Sequence, residues 1–172
     1  MEKGALMKKS ILILLMILIF ILPSCSSHET TDCRIVLERL MTAEIGLPAG
    51  KVYCMAAQRG DDEYLPQNLI NSLYGNGSRP VMADGWIDLA VYLSTTPHPC
   101  ELAVFLCDKE ETARDTATML CSRIDAIRTS KSSQEYSPLL DSATVTVIRN
   151  YVLLVVSSDV EGAITEAAKA IG

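Results

Sequence analysis

Histidine and large aromatic side chains are scarce in this chain of 172 residues, which has two His, one Trp and two Phe. With only His28 and His98 available, imidazole chemistry has almost no material to work with. No C-x-x-C pair and no H-x-x-x-H unit occurs, and those are the short units from which tetrahedral zinc sites draw their ligands. No glycine-rich loop ends in GK[ST], so a phosphate-cradling loop of that type is excluded. After residue 24 no run of Lys or Arg appears, and a nucleic-acid partner needs a basic stripe to neutralise phosphates. Nucleic acid is therefore set aside as a partner. No long hydrophobic run is present either. The longest, Ile11 to Leu22, has 12 residues and would cover about 18 Å at 1.5 Å per residue, against about 30 Å of hydrocarbon.

That short run has a context. Lys3, Lys8 and Lys9 precede it and Pro23-Ser24-Cys25-Ser26-Ser27 follows, which is the outline of a secretion signal. The lysines keep their end cytoplasmic, and Pro23 ends the helix where a peptidase requires extended backbone. Leu22-Pro23-Ser24-Cys25 resembles the lipobox of bacterial lipoproteins, with Leu22, Ser24 and Cys25 matching and Pro23 departing from it. The resemblance implies a diacylglycerol on the Cys25 sulfur and cleavage of the bond before it. Two acyl chains anchor stably where one is marginal. An ordinary signal cut near Ser26 and an uncleaved anchor are the alternatives. Met7 offers a second start beside Met1, giving Met7-Lys8-Lys9-Ser10 directly before the apolar run.

The expected organisation is a lipoprotein signal over 1–24, a flexible tether over 25–31 and a single domain over 32–172. The chain has 15 basic and 21 acidic residues, net −6; loss of Lys3, Lys8, Lys9 and Glu2 removes +2 and leaves −8. So acidic a domain does not lie on anionic headgroups by charge. The membrane is reached through lipid on Cys25, and the protein is expected on the extracytoplasmic face of the cell membrane. With Cys25 lipidated, Cys33, Cys54, Cys100, Cys107 and Cys121 remain. That number is odd, so one thiol at least stays unpaired within a monomer. Cys107 and Cys121 sit in apolar patterns and read as buried free thiols.

Along the domain, Cys33, Val36, Leu37, Leu40 and Met41 recur at helical spacing within 32–45, stopped by Gly46 and Pro48. Lys51 to Ala57 suits a short strand and Pro66 to Leu73 a short helix. Gly75 to Gly85 is turn-like. Trp86 to Ser94 alternates as a half-buried strand, with Ile87, Leu89, Val91 and Leu93 on one face. Glu101 to Leu106 repeats the alternation through Leu102, Val104 and Leu106, closing a hairpin over Thr95 to Pro99. Asp108 and Glu111 form a capping box, and Ala113, Ala117, Leu120, Ile124 and Ile127 run down one helix face. The other face mixes Lys109, Arg114, Asp115, Arg123 and Asp125 and reads as solvated. Thr129 to Ser133 is a polar loop. Ala143 to Ile148 and Tyr151 to Ser157 form a second hairpin, the continuously apolar Val152 to Val156 being covered on both faces. Ser158 and Glu161 box the start of a closing helix. The expected fold is α+β: an antiparallel four-stranded sheet in the order strand-strand-helix-strand-strand-helix, with helices packed on it and a helix before it.

Three stretches, Glu101-Leu102-Ala103-Val104-Phe105-Leu106, the helix after it, and Asn150-Tyr151-Val152-Leu153-Leu154-Val155-Val156-Ser157, resemble a family of short lipoproteins from Gram-positive, largely clostridial, bacteria. It is catalogued as domain of unknown function 4358, and the likeness runs from about Leu65 to the end. It implies location and fold and carries no catalytic residue, metal or cofactor.

His98-Pro99-Cys100 is the one place where a base and a nucleophile adjoin, so a cysteine-dependent hydrolase using Cys100 and His98 is the competing expectation. A zinc site from His98, Cys100 and Cys107 would need ligands from separate segments. Asp61-Asp62-Glu63 lacks the alternating ligands of a calcium loop. Tyr64, Tyr74, Trp86 and Tyr92 are candidates for a concave binding patch. The leading expectation is a non-enzymatic envelope module that binds a protein or ligand partner through its sheet.

Overall fold

The computed structural model of the protein describes residues 30–43, 47–75, 84–130 and 134–172. The signal, Cys25, most of the tether and the middle of the turn between Gly75 and Gly85 lie outside the described residues. The architecture is α+β. Helix α1 (Cys33–Ala43) is followed by β1 (Gly50–Cys54), α2 (Gln67–Tyr74) and the strands β2 (Trp86–Ser94) and β3 (Glu101–Cys107). Then come α3 (Glu110–Thr129), a 3-10 turn (Gln134–Tyr136), α4 (Ser137–Ser142), β4 (Thr144–Ile148), β5 (Tyr151–Val156) and α5 (Val160–Ile171).

The sheet has five strands where four were expected, in the order β1-β2-β3-β5-β4, every neighbouring pair antiparallel. The additional strand is β1, which pairs Gly50 with Ser94 and Cys54 with Ala90 along the free edge of β2. Both hairpins form. The turn of the second places Arg149 at φ 56°, a left-handed conformation that two-residue hairpin loops demand.

The expectation of a half-buried first hairpin is corrected for β3, while β5 is covered on both faces as expected. All seven residues of β3 and all six of β5 are buried, because helices cover both faces of the sheet. On one face Leu102, Val104 and Leu106 meet α1 and α5, which pack against each other. On the other, Ala103, Phe105 and Cys107 meet α2, α3 and α4. Tyr74 and Trp86 both set their edges against Phe105, with ring centroids 5.3 and 4.8 Å away, the preferred aromatic geometry. Ile87, assigned to an inner face with Leu89, is instead 56% exposed. The register shifts between Trp86 and Asp88, and such a bulge turns a side chain outward.

The helix caps also differ from expectation. Asp108 accepts from the Thr112 hydroxyl at 2.6 Å and caps no backbone N–H, and α3 starts from Lys109 without a side-chain cap. For α5 the capping residue is Asp159, not Ser158, accepting from the Gly162 N–H at 2.9 Å. At α1, Asp88 reaches across from β2 to accept from the Cys33 N–H at 2.9 Å.

Because β2 and β3 run opposite ways, the two ends of the sheet carry different material. The chain enters at one end: the Tyr151 hydroxyl donates to the Thr31 carbonyl at 2.6 Å, and the Thr31 hydroxyl donates to the Ala170 carbonyl at 2.9 Å. At the other end lie the β2–β3 loop, the start of β1 and the C-terminus of α3. The seven residues of β3 separate the two ends by about 20 Å at 3.3 Å per residue.

Candidate functional site

The far end of the sheet holds the one charged pair that the fold buries among the described residues. Glu101 opens β3 and is 2% exposed. Its phase follows Ala103 and Phe105, so its side chain points to the α3 side, into apolar surroundings that would not tolerate it unpaired. Arg123, one turn before Ile127 on α3, satisfies it. Its Nε donates to Oε2 at 3.0 Å and its Nη2 donates to Oε2 at 2.7 Å, with a longer Nε contact to Oε1 at 3.4 Å. The Tyr74 hydroxyl, at the end of α2, donates to Oε1 at 3.3 Å. Burial holds the Tyr74 phenol well above the usual tyrosine range, and the Glu101 charge adds to that.

Arg123 borders a cavity of about 320 Å³ between the β2–β3 loop and the ends of α2 and α3, lined by Leu73, Leu93, Pro97 and Ile127 together with His98 and Ser94. The Arg123 side chain is 21% exposed. It shows Glu101 one edge, Nε and Nη2, and its Nη1 makes no hydrogen bond among the described residues. His98 is set by its own loop: its backbone N–H donates to the Thr96 hydroxyl at 3.4 Å, and its Nδ1 accepts from the Cys100 N–H at 3.2 Å. Since Nδ1 is an acceptor, the neutral ring carries its proton on Nε2. The ring lies against Tyr136 with centroids 4.7 Å apart. Arg123 and His98 thus line the cavity beside both apolar and polar neighbours.

The expected site residues divide as follows. Cys25 lies outside the described residues. Cys100 is 3% exposed and its side chain belongs to the core on the α1 and α5 side. A nucleophile must meet its substrate, which so buried a thiol does not do in this conformation, and the contact shown between the two residues is a backbone one, His98 Nδ1 accepting from the Cys100 N–H. Cys107 is fully buried at the opposite end of β3 and lies 3.7 Å from the Thr116 hydroxyl, so it forms no ligand set with His98 and Cys100. Among the described residues no group of three His, Cys, Asp or Glu could hold a metal ion.

Asp61 folds back to accept from the Gln58 N–H at 2.9 Å, and Glu63 meets Arg34 at 2.7 Å. That acidic segment is a turn tied to α1. The aromatic patch does not assemble either: Tyr92 faces the α1 core while Tyr74 and Trp86 face the α3 core.

Among the described residues no disulfide joins the five cysteines, and Cys121, expected to be buried, is exposed. It follows the buried Leu120 on α3 and so points off the apolar stripe. Burial, and then the Asp88 carboxylate, push the Cys33 thiol far up; burial, and then Glu63, push Cys54 up to about 11.

The residues that sequence reasoning missed are Glu101 and Arg123; Tyr74 was a candidate, but for an aromatic patch and not as the donor to a buried carboxylate. Comparison of the chain with protein-family models, with curated proteins and with solved structures finds no match in any of the three. The resemblance to domain of unknown function 4358 thus rests on the stretches quoted for it. No helix of the described residues is long and apolar enough to cross a membrane.

Proposed function

We propose that this chain is a lipid-anchored binding module on the extracytoplasmic face of a bacterial membrane, of the kind that the resemblance to domain of unknown function 4358 implies. It is tethered through Cys25 and engages a protein or small-molecule partner of the envelope. The anchor is supported by Leu22-Pro23-Ser24-Cys25 directly after an apolar run of 12 residues that is short for a span. The single observation that carries the binding reading is the cavity beside Arg123, a half-open hollow of about 320 Å³ whose lining mixes apolar side chains with Arg123 and His98, the mixture that small-ligand sites use. Binding fits this site better than hydrolysis, since the adjacent thiol is buried in the opposite core.

The position of the cavity suits the role. The chain enters the domain at Thr31, and the cavity lies at the other end of the sheet. Six residue steps separate Cys25 from Thr31 and reach about 20 Å when extended. A domain held this way turns its cavity end from the lipid.

Labelling of cells with a fatty-acid probe tests the anchor: the label is expected to be sensitive to globomycin and absent from Cys25→Ala, and its persistence in that variant overturns the anchor. Crosslinking on intact cells and recovery of the full chain test the binding reading. A reproducible partner lost on filling the cavity by Ser94→Trp is the expected result, and capture that is unchanged in that variant counts against it.

A further inference from the structure

We infer that the cavity between the β2–β3 loop and α3 is a carboxylate site, in which the open edge of Arg123 and the Nε2–H of His98 take the acid group and Leu73, Leu93 and Ile127 take an apolar tail. This rests on the binding reading above and names its ligand class.

The chemistry follows from how the buried pair is built. A guanidinium presents five N–H donors in a planar fork, and each edge matches a carboxylate. Glu101 occupies the Nε and Nη2 edge, fixing the plane and rotamer of Arg123 with a charge that water cannot screen. The edge formed by Nη1 and the second Nη2 hydrogen has no partner among the described residues, and Arg123 is one of the residues that line the cavity. A guanidinium locked in this way loses little freedom on binding a second planar acid, and such preorganisation is where affinity comes from. Tyr74 steadies Glu101 from behind, donating to Oε1 at 3.3 Å.

His98 contributes the second donor. Its Nδ1 is held by the Cys100 N–H at 3.2 Å and its ring rests on Tyr136, so the tautomer and tilt that present Nε2–H are set before any ligand arrives. Glu101 is the one acid lining the cavity among the described residues, and its oxygens are taken by Arg123 and Tyr74. The lining therefore offers an incoming acid no free carboxylate.

The charge balance selects among anions. Glu101 already neutralises Arg123, and the whole chain is −6, so a doubly charged phosphate meets an unfavourable field while a singly charged carboxylate with two or three donors does not. The apolar walls favour a short aliphatic or prolyl tail over acetate. A free organic acid and the C-terminal carboxylate of a peptide share this chemistry.

The test uses the full chain in lipid nanodiscs with arginine labelled at its side-chain nitrogens, titrated with 4-methylvalerate, its amide 4-methylvaleramide, the dipeptide acetyl-Ala-Leu and inorganic phosphate. The expected result is saturable movement of the Arg123 side-chain signals with 4-methylvalerate or acetyl-Ala-Leu, and at least tenfold weaker response to the amide. The tighter of the two acids tells a free acid from a peptide terminus. Arg123→Lys keeps a cation against Glu101 while removing the planar open edge; because it also removes the observed signals, it is titrated with the same acids by calorimetry beside the unaltered chain, and it is expected to lose at least tenfold in affinity with its fold intact. His98→Ala is expected to weaken it about tenfold.

Equal binding of acid and amide, or phosphate binding more tightly than either acid, overturns the carboxylate assignment. A flat titration with all four probes overturns it too. If a crosslinked partner is still captured in that case, the binding module stands and only its ligand class falls.

Discussion

At the scale of single residues the molecule turns on Glu101. A carboxylate 2% exposed at the head of an otherwise apolar strand is tolerable while Arg123 faces it, and removing one partner of such a pair costs about 3 kcal/mol or more. Glu101→Gln is therefore expected to lower stability by about 3 kcal/mol in urea unfolding. The double change Glu101→Leu with Arg123→Leu is expected to cost well under the sum of its single changes, as apolar replacement of a whole buried pair often does; additive losses would show that the two do not act together. A second residue-scale expectation concerns Cys54. Its thiol is held up to about 11 by burial first and by Glu63 second. From about pH 9 to about pH 11 the unfolded chain releases this proton and the folded chain keeps it. Stability is thus whole below that window and falls through it, by up to ~1.4 kcal/mol per pH unit for one group. Cys54→Ala should flatten the decline measured by denaturant unfolding over that range, and an unchanged slope would remove Cys54 from the account. Neither Glu101 nor its partner was legible as a site. Leu102, Val104 and Leu106 defined the inner face of the strand and left Glu101 outside it, and Arg123 sat among charges of both signs that read as solvated. Two residues 22 positions apart on different elements become a pair only when α3 packs over the second face of the sheet.

At the scale of elements, the strongly periodic segments were legible in detail, and the weakly periodic ones, the strand from Lys51 to Ala57 and the helix from Pro66 to Leu73, in their place along the chain but not in their pairing or packing. The 3.6-residue stripe through Ala113, Leu120, Ile124 and Ile127 is the buried face of α3, and the unbroken apolar run of β5 is the doubly covered strand it suggested. The four-strand sheet left out β1, although Lys51 to Ala57 suits a short strand, because Gly50–Cys54 has five residues with Gly50 and Lys51 exposed, too little alternation to assign it a neighbour. What holds β1 in place is backbone proximity that no hydropathy pattern encodes. A Cβ at Gly50 would meet the Tyr92 ring and come within 2.6 Å of the Leu93 carbonyl oxygen, so only glycine lets β1 approach β2 this closely. Tyr92 in turn donates its hydroxyl to the Pro48 carbonyl, tying the segment before β1 to the sheet. Gly50→Ala is expected to cost about 1–3 kcal/mol and to raise amide exchange along 50–54 ahead of β3 and β5. Exchange that rises uniformly across the sheet would mean that β1 is not an independent edge.

At the scale of the whole molecule, helices on both faces leave the faces of the sheet little open surface, and loops and helix termini converge at its two ends. The two ends are not equivalent. One receives the chain at Thr31 and carries Lys109 and the exposed Ile87; the other carries Thr96, His98 and the Arg123 cavity. If lipid sits on Cys25, the lead to Thr31 reaches about 20 Å at most, comparable to the length of β3, so the domain can tilt but its ends cannot exchange places freely. The acidic net charge works in the same direction on an anionic bilayer, pushing the body of the domain outward against its tether. This yields a measurable asymmetry. In a Cys121→Ser background, which removes the exposed thiol, a fluorophore on Lys109→Cys is expected to transfer more energy to acceptor-labelled lipid headgroups than one on Thr96→Cys. Lengthening the tether by about ten Gly and Ser residues should shrink the difference, because a flexible lead of that length no longer restricts tumbling. Equal transfer from the two positions with the natural tether would show that the cavity has no preferred direction. Greater transfer from Thr96→Cys would place the cavity against the lipid and make the bilayer, not the envelope beyond it, the source of its ligand.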